Sequence, residues 1–490
     1  MTPISVLITI AIYFILLFTV SYIAGRKADN EGFFVGNRKS TWYVVAFAMI
    51  GSSISGVTFV SVPGMVAVSS FSYLQMVLGF VAGQLVIAFL LTPMFYRMNL
   101  VSIYEYLENR FGISSYKTGA WFFFISKMLG AAVRLFLVCL TLQLLVFGPL
   151  GLPFLLNVAI TVALVWLYTF QGGVKSLIWT DSLKTFCLVV SVVLCIYFIA
   201  SDLELSFGGM IKSISESDLS KMFFFDDVND KRYFFKQFFA GMFTMIAMTG
   251  LDQDMMQRNL SCKNFKDSQK NMITSGVSQF FVILLFLMLG VLLYIYAAQN
   301  SLFTPQDVAN GSIKSDEVFP LIATGSYFPM IVGILFIIGL ISSAYSAAGS
   351  ALTALTTSFT VDILGIKGKT EQAVVKIRKR VHVGMAIVMG IVIFVFNLLN
   401  NTSVIDAVYT LASYTYGPIL GLFAFGIFMK NPVRDKYIPY VAILSPVLCF
   451  ILQKNSKEWF NGYEFSYELL IFNALFTFIG LCLLIVKKKK

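Results

Sequence analysis

The chain has 490 residues, of which 58% are hydrophobic and only 12% are charged, and its mean hydropathy is +0.82. No soluble protein of this length could bury so much apolar surface, so the composition predicts an all-α protein that crosses the membrane many times. The formal net charge of +11 resides in loops between apolar runs. It indicates topology and contact with anionic lipid, and it gives no support to a nucleic-acid partner.

Two residue types limit the chemistry further. The six cysteines form no CxxC pair, and the one histidine, His382, borders a basic loop. A disulfide framework, a metal site built on imidazole and a Ser–His triad are therefore excluded.

Apolar runs of about 20 residues, long enough to span a bilayer, occur roughly thirteen times. They lie near residues 3–24, 42–67, 72–97, 118–147, 153–170, 177–201, 234–257, 273–298, 329–361, 381–399, 403–429, 437–453 and 467–486. The first run is followed by no small-residue cleavage pattern, so we expect a retained helix rather than a signal peptide.

The loops between these runs alternate in charge. One alternate set is basic, as in residues 376–380, and the other is nearly uncharged or acidic. The longest loop of the second set, 202–232, has seven acidic residues against four basic ones. The positive-inside rule places the basic loops in the cytoplasm, the N-terminus outside and the C-terminus inside. We expect a multi-pass protein of the cell membrane, the inner membrane in a bacterium.

Two spans contain residues that interrupt a helix. The second span holds Gly51-Ser52-Ser53-Ile54-Ser55-Gly56, and the seventh holds Met248-Thr249-Gly250 before Asp252-Gln253-Asp254. Five spans separate the starts of the two. Breaks at matching places in two halves are typical of an inverted-repeat transporter with a binding site at the midplane. For the seventh span an unbroken helix stays open, because glycine is tolerated in membrane helices.

Hydroxyl side chains form a stripe in the ninth span. They recur at residues 343, 346, 350, 353 and 357, which places them on a single face of a helix. One interpretation is a packing seam of small residues between two helices. The other is a sodium site, with Ser343 and Ser346 facing the free carbonyls of Gly51 and Ile54 in the broken second span.

Two charged residues within the spans have alternative roles. Asp181, at the start of the sixth span, caps the helix beside Lys184, or it is a carboxylate held near a cation. Arg134 lies about midway along the fourth span, where a charge costs at least about 2.5 kcal/mol without a partner or cavity. It either pairs with an acid or binds a carboxylate of the solute.

Six blocks of sequence follow one another over about residues 20–365. They are Gly25-Arg26-Lys27 with Glu31-Gly32-Phe33-Phe34, the broken second span, Tyr104 to Gly112, Gly172 to Asp181, Asp252-Gln253 with Gln257-Arg258, and Ser343 to Asp362. In these blocks the chain resembles the sodium/solute symporter family, which includes the sodium–glucose, sodium–proline and sodium–sialic acid transporters. The block that ends at Asp181 is the most specific of the six.

The resemblance implies a shared sodium site. Its ligands would be the carbonyls of Gly51 and Ile54 with a carbonyl and hydroxyls at Ser343, Ser346 and Ala347. Because Ala347 carries no hydroxyl, the resemblance implies a weaker site or one completed by water.

A second sodium site is present in the sialic acid branch of the family. The resemblance implies a partial version of it here, formed by Asp181, Ser346 and Ser350. Whether one or two sodium ions are coupled stays open.

The same resemblance suggests the solute. Arg134 falls where the sialic acid branch has its carboxylate-binding arginine, and Ser53, Ser55 and Thr58 line the broken helix as in that branch. Val77 replaces a polar residue of the sugar and sialic acid transporters. The pattern therefore favours an anionic solute over a neutral sugar.

These inferences together predict a Na⁺-coupled symporter with a leucine-transporter-like core of two inverted five-helix repeats. We expect one membrane domain over residues 1–490, with a ten-helix core at 42–429, a peripheral helix at 3–24 and peripheral helices at 437–486. Na⁺ is the expected co-transported ion, and the sequence suggests no obligate protein partner.

Three alternatives stay open. One is a symporter of a neutral or zwitterionic solute such as a sugar, proline or another amino acid. Another is a membrane sensor, although the chain ends at Lys490, soon after the last span. A membrane enzyme is the third, although we expect almost no carboxylates within the spans, apart from Asp181, for acid–base chemistry.

Overall fold

The computed structural model describes residues 3–25, 42–53, 55–98, 103–171, 174–260, 262–325, 327–364, 370–399 and 403–486. Helices account for most of these residues. They are α1 (Pro3–Gly25), α2 (Trp42–Ser53), α3 (Gly56–Ser69), α4 (Tyr73–Met98), α5 (Glu105–Arg110), α6 (Ile113–Phe147), α7 (Phe154–Gln171), α8 (Val174–Asp202), α9 (Phe207–Glu216), α10 (Phe234–Gly250), α11 (Gln253–Leu260), α12 (Phe265–Gln299), α13 (Pro305–Ala309), α14 (Ser315–Thr324), α15 (Met330–Ser358), α16 (Glu371–Leu399), α17 (Val404–Phe428), α18 (Ile438–Trp459) and α19 (Leu469–Leu483).

The described helices match the predicted membrane spans. Seven are long and apolar enough to cross a membrane. The number of such spans rises to as many as ten if each of three bent helix pairs forms one span. Shorter apolar helices lie in α1, α7 and α19. Each predicted span therefore coincides with a helix or a bent pair. The division into a ten-helix core and peripheral helices stays a prediction.

Both predicted breaks are present. The axes of α2 and α3 differ by 54°, and those of α10 and α11 by 71°. Ser55 lies between α2 and α3 in an extended conformation, with φ −80° and ψ 165°. At the second break a π-helical turn, Ile246–Gly250, ends α10 just before the chain bends. The glycine of the seventh span thus marks a real interruption rather than a tolerated substitution.

Helix α10 packs against α4 so closely that their backbones touch. A Cβ at Gly79 of α4 would lie 2.1 Å from the carbonyl oxygen of Phe238, and one at Gly241 of α10 would lie 2.1 Å from that of Met76. Real Cβ atoms do not approach an oxygen so closely, so each helix needs glycine where it meets the other. The second broken helix is therefore fixed against α4.

Asp316 joins three elements at the opposite end of the bundle from α11. It lies on α14, its side chain is almost fully buried, and Ser61 of α3 donates a hydrogen bond of 2.5 Å to Oδ1. The N–H of Val404, the first residue of α17, donates one of 2.9 Å to Oδ2. Burial, with smaller contributions from Asp406 and Glu317, raises the pKa of Asp316 to about 6.

We expect Gly79→Ala to destabilise the protein by about 1–3 kcal/mol, the usual cost of overpacking a tight contact. Gly384→Ala in α16 is the matched control, because nothing lies within 4 Å of a Cβ at that position. Melting temperatures in detergent measure the effect. Equal melting temperatures for the two variants would show that α4 and α10 do not pack as closely as described.

The raised pKa of Asp316 makes its contribution to stability dependent on pH. Folding favours the protonated carboxyl, so the free energy of unfolding rises as the pH falls through 6 toward 4. Relative to Asp316→Asn, which does not titrate, the wild type should gain about 2 kcal/mol between pH 8 and pH 4. Melting curves of both proteins across this range measure the difference, and a constant difference would contradict the burial of this carboxyl.

Candidate solute and sodium site

A cavity lies between the two breaks. Its volume is about 90 Å³, and five parts of the structure line it: Ser55 before α3, and residues of α6, α15, α17 and the α10–α11 pair. The lining side chains are those of Ser55, Ser126, Lys127, Arg134, Met248, Asp252, Asp254, Met255, Arg258, Ala347, Ser350, Ala351, Val408, Leu411, Ala412, Thr415 and Tyr416. Two interrupted helices and a polar lining are the features expected of a transport site.

Arg134 is a cation of this cavity that no described protein group neutralises. Its side chain is partly exposed and lines the cavity. Among the residues that the structure describes, no acid lies within ion-pair distance of the guanidinium and no group accepts its hydrogen bonds. The interpretation of Arg134 as half of a structural ion pair therefore has no support in the described part of the chain.

Lys127 lies two turns from Arg134 on the same face of α6, and it is fully engaged. Its Nζ donates to both oxygens of Asp252, at 3.2 and 3.3 Å, and to Asp254 at 3.2 Å. Asp252 also accepts from the hydroxyl of Tyr416 at 2.9 Å. Arg258 lies 3.6 Å from Asp254. We call Lys127, Asp252, Asp254 and Arg258 the charge quartet; two cations and two anions make it neutral.

The sequence analysis did not predict the ion pairs of the charge quartet. Asp252 and Asp254 line the cavity, so the expectation that the spans offer almost no carboxylates besides Asp181 is wrong. The sequence analysis gave these acids no role in the site because they follow the break, where a polar stretch resembles the end of a helix. A lysine seven residues before a mid-membrane arginine was the available signal, since it requires an anionic partner on a facing helix.

Ser343 has the property expected of an ion ligand. It is completely buried, and its hydroxyl has no hydrogen-bond partner among the residues that the structure describes. Its Cβ lies only 3.7 Å from where a Cβ of Gly56 would be, so it faces the start of α3 just beyond the first break. A buried polar atom without a partner costs about 1–3 kcal/mol, a cost that a bound cation would remove.

The other predicted sodium ligands are described less completely. Gly51 is buried near the end of α2, and Ala347 lines the cavity. Ile54 and the side chain of Ser346 lie outside the described residues. Thr353, a member of the same stripe, donates to the carbonyl of Gly349 in its own helix at 2.9 Å.

The predicted second sodium site is brought together only in part. Helix α8, which carries Asp181, packs against α15, and Ser350 of α15 lines the cavity. The side chains of Asp181 and Ser346 are not among those described. The assignment of a second site therefore stays a prediction.

The predicted solute-binding hydroxyls separate into different environments. Ser55 lines the cavity and its hydroxyl accepts a 3.4 Å hydrogen bond from the N–H of Thr58, which caps α3. Thr58 is buried behind it, with its hydroxyl 3.5 Å from that of Ser55. The side chain of Ser53 lies outside the described set. Of the two whose side chains are described, Ser55 is therefore the one placed to contact a solute.

Comparison with known proteins identifies the family. A sequence profile described as the sodium:solute symporter family matches residues 33–434. The chain belongs to the sodium:solute symporter family. The resemblance inferred from the six sequence blocks is thereby confirmed, as are a transporter rather than an enzyme and Na⁺ as the co-transported ion.

Individual relatives in this family agree in length as well as in sequence. The sodium/sialic acid symporter NanT of Aliivibrio fischeri is 27% identical over 439 residues, which are 87% of this chain and 83% of that protein. The sodium/sialic acid symporter SiaT of Proteus mirabilis is 22% identical over 84% of this chain and 82% of that protein.

A solved structure supports the fold. The substrate-bound, outward-open structure of a Na⁺-coupled sialic acid symporter superposes on this chain with a TM-score of 0.80. The alignment covers 98% of this chain and 97% of that protein, with 19% sequence identity. The predicted leucine-transporter-like fold is confirmed on this likeness. The chain is a multi-pass membrane transporter that couples the movement of a small solute to Na⁺.

We expect Ser343→Ala to raise the half-saturating Na⁺ concentration about tenfold, as for the loss of one ligand worth about 1–2 kcal/mol. Without Na⁺ the variant should melt at or above the wild-type temperature, because it removes a buried hydroxyl that has no partner. Ser342→Ala is the matched control; its hydroxyl donates to the carbonyl of Gly339 at 3.1 Å. If Na⁺ stabilises Ser343→Ala and wild type equally, Ser343 is not a ligand.

Proposed function

We propose that this symporter imports a small carboxylate-bearing solute, with sialic acid as the first candidate. The observation that carries the proposal is the guanidinium of Arg134, which lines the cavity without an acidic partner among the described residues. A buried charge needs a counter-charge, and a carboxylate suits the planar fork of arginine. The names of the two symporters from Aliivibrio and Proteus point to the same class of solute.

A zwitterionic solute has less support. An amino acid would need a free carboxylate for its ammonium group as well as a cation for its own carboxylate. The two acids that line the cavity, Asp252 and Asp254, are already paired with Lys127 and Arg258. A neutral sugar would leave Arg134 without a counter-charge. An anion is therefore the solute whose charge balances that of the described cavity lining.

In this proposal Na⁺ binds beside the first break, between α2 and α3. With the hydroxyl of Ser343 and the carbonyls of Gly51 and Ile54 as ligands, together with Ser346 and Ala347, the ion links α15 to the junction of α2 and α3. Ser55, at that junction, lines the cavity. Binding of Na⁺ therefore orders a segment that contacts the solute, which couples the two binding events.

Asp181, Ser346 and Ser350 would hold a second ion in the same scheme. Each Na⁺ that enters a cell with a negative interior releases about 2.3 kcal/mol per 100 mV. A second ion would thus keep the import of a monoanion electrogenic, whereas one ion would make it electroneutral.

The orientation and location follow from charge. With the basic loops in the cytoplasm, the N-terminus lies outside, the C-terminus lies inside, and α14 with Asp316 lies on the outer side. The α11 end of the cavity then faces the cytoplasm. The membrane is proposed to be a bacterial inner membrane, in agreement with the bacterial sources of the two relatives.

Uptake into proteoliposomes under an imposed Na⁺ gradient tests the proposal. Labelled sialic acid, lactate, proline and glucose are compared in the wild type, Arg134→Ala and Arg134→Lys. We expect Na⁺-dependent uptake of an acid, and a KM raised roughly 30-fold in Arg134→Ala, because a charged hydrogen bond to a carboxylate is worth about 2 kcal/mol. Arg134→Lys should recover only part of the loss, since lysine lacks the bidentate fork.

Arg232→Ala is the control for this experiment. Arg232 pairs with Asp230 at 2.8 Å in the loop before α10, away from the cavity. Its uptake should match that of the wild type. Uptake of a neutral solute that does not change in Arg134→Ala would leave a symporter but overturn the anionic solute.

A further inference from the structure

The two cations of α6 that line the cavity differ in what they can offer a solute. Lysine has three N–H donors, and all three hydrogen bonds of Lys127 go to carboxylate oxygens of Asp252 and Asp254. Arginine has five donors, and none of those of Arg134 meets an acceptor among the described residues. Helix α6 therefore contributes two potential anion sites to the cavity, of which the protein's own acids occupy one.

The spacing of these cations matches that of a solute with two carboxylates. Seven residues of helix separate them, a rise of about 10 Å, and this spacing places both on one face. Their long side chains can bring the charged groups closer together than that. A four- or five-carbon dicarboxylate could therefore reach both cations if Lys127 were released from its partners.

We propose that Asp252 and Asp254 make the site selective for solutes with a single carboxylate, because they neutralise Lys127 and leave Arg134 as the available anion site among the described residues of the cavity. This inference rests on the proposed anionic solute and adds the number of charges that the site accepts. A second carboxylate of a solute would have to displace Asp254 or Asp252 from Lys127. It would also lie close to both acids, and like charges at short range in a partly buried site repel strongly.

Asp254 is the better member of the pair to alter. Asp252 also accepts hydrogen bonds from Tyr416 and from the N–H of Met255 at 3.1 Å, so it ties α11 to α17 as well as to α6. Asp254 contacts the two cations, and about a quarter of its side chain is exposed. Asp254→Asn keeps the size of the side chain and removes one negative charge.

The test compares butyrate with succinate, which have four carbons each and differ in one carboxylate. Each is used at pH 7.5 to inhibit Na⁺-driven uptake of labelled sialic acid, and each is used separately to stabilise the detergent-purified protein in NaCl against heat. The variants are Asp254→Asn, Lys127→Gln and the double variant Lys127→Gln/Asp254→Asn. Asp226→Asn is the control, because Asp226 forms an exposed ion pair with Lys221 in the loop before α10.

Asp254→Asn should improve the affinity for succinate relative to butyrate about tenfold, as expected from one unit charge within about 10 Å at an effective dielectric near 20–30. Lys127→Gln leaves the acids in excess, so it should weaken the binding of both anions, and that of succinate more than that of butyrate. The double variant restores a neutral lining and should return the ratio to the wild-type value. A merely structural role of Lys127 would not produce this reversal.

An unchanged succinate-to-butyrate ratio in Asp254→Asn, with butyrate still bound, overturns the inference and leaves the proposed function standing. If Asp254→Asn does not fold, a wild-type ratio in Lys127→Gln overturns it equally. Wild-type protein that binds neither acid, and takes up no labelled carboxylate, overturns the proposed function and this inference with it.

Discussion

The hydrocarbon interior of a membrane tolerates no polar group without a partner, and this constraint governs the structure. In the described part of the chain, unwound backbone and charged side chains occur where helices surround a cavity. The breaks between α2 and α3 and between α10 and α11 contribute to one cavity, and the charges of α6 face it. Each feature would be costly against lipid, and each is accommodated because the cavity and its occupants supply partners.

Charge compensation within that cavity is incomplete. The charge quartet pairs two cations with two anions across α6 and α11, whereas Arg134 has no counter-charge among the described residues. The described residues neutralise one set of charges, and in the proposed function a bound carboxylate would neutralise the other. The buried hydroxyl of Ser343 likewise has no hydrogen-bond partner among the described residues. We propose that the transported species bind at these two groups, because Arg134 lines the cavity and Ser343 lies beside the first break.

The elements that hold this arrangement lie away from the cavity. Helix α10 touches α4 through facing glycines, which fixes the position of the second break. At the other end of the bundle, Asp316 of α14 joins α3 to the start of α17, and the hydroxyls of Tyr73 and Tyr409 join α4 to α17 at 2.7 Å. These contacts link both broken helices to neighbours that also line the cavity or support it.

Several features could be read from local sequence. Apolar runs of bilayer length determined the helices, glycine and serine in the second span determined its break, and the depth of Arg134 showed that it needs either an acidic partner or an anionic ligand. The hydroxyl stripe on α15 was also visible, although the stripe alone could not separate packing from ion binding. These properties depend on residues that are close together in the chain, so they can be inferred from the sequence and the known thickness and polarity of a bilayer.

Only the tertiary structure shows which residues that are distant in sequence form ion pairs and hydrogen bonds. The sequence showed Lys127 and Asp252 as two charges 125 positions apart, and only the tertiary structure brought α6 to the bend between α10 and α11 and made them a pair. Within the described part of the chain, it left Arg134 without an acid and Ser343 without a hydrogen bond. Whether a buried polar group is satisfied depends on what lies opposite it in space. Sequence therefore determined which groups enter the membrane, and tertiary structure decided which of them remain available to bind the solute and the ion.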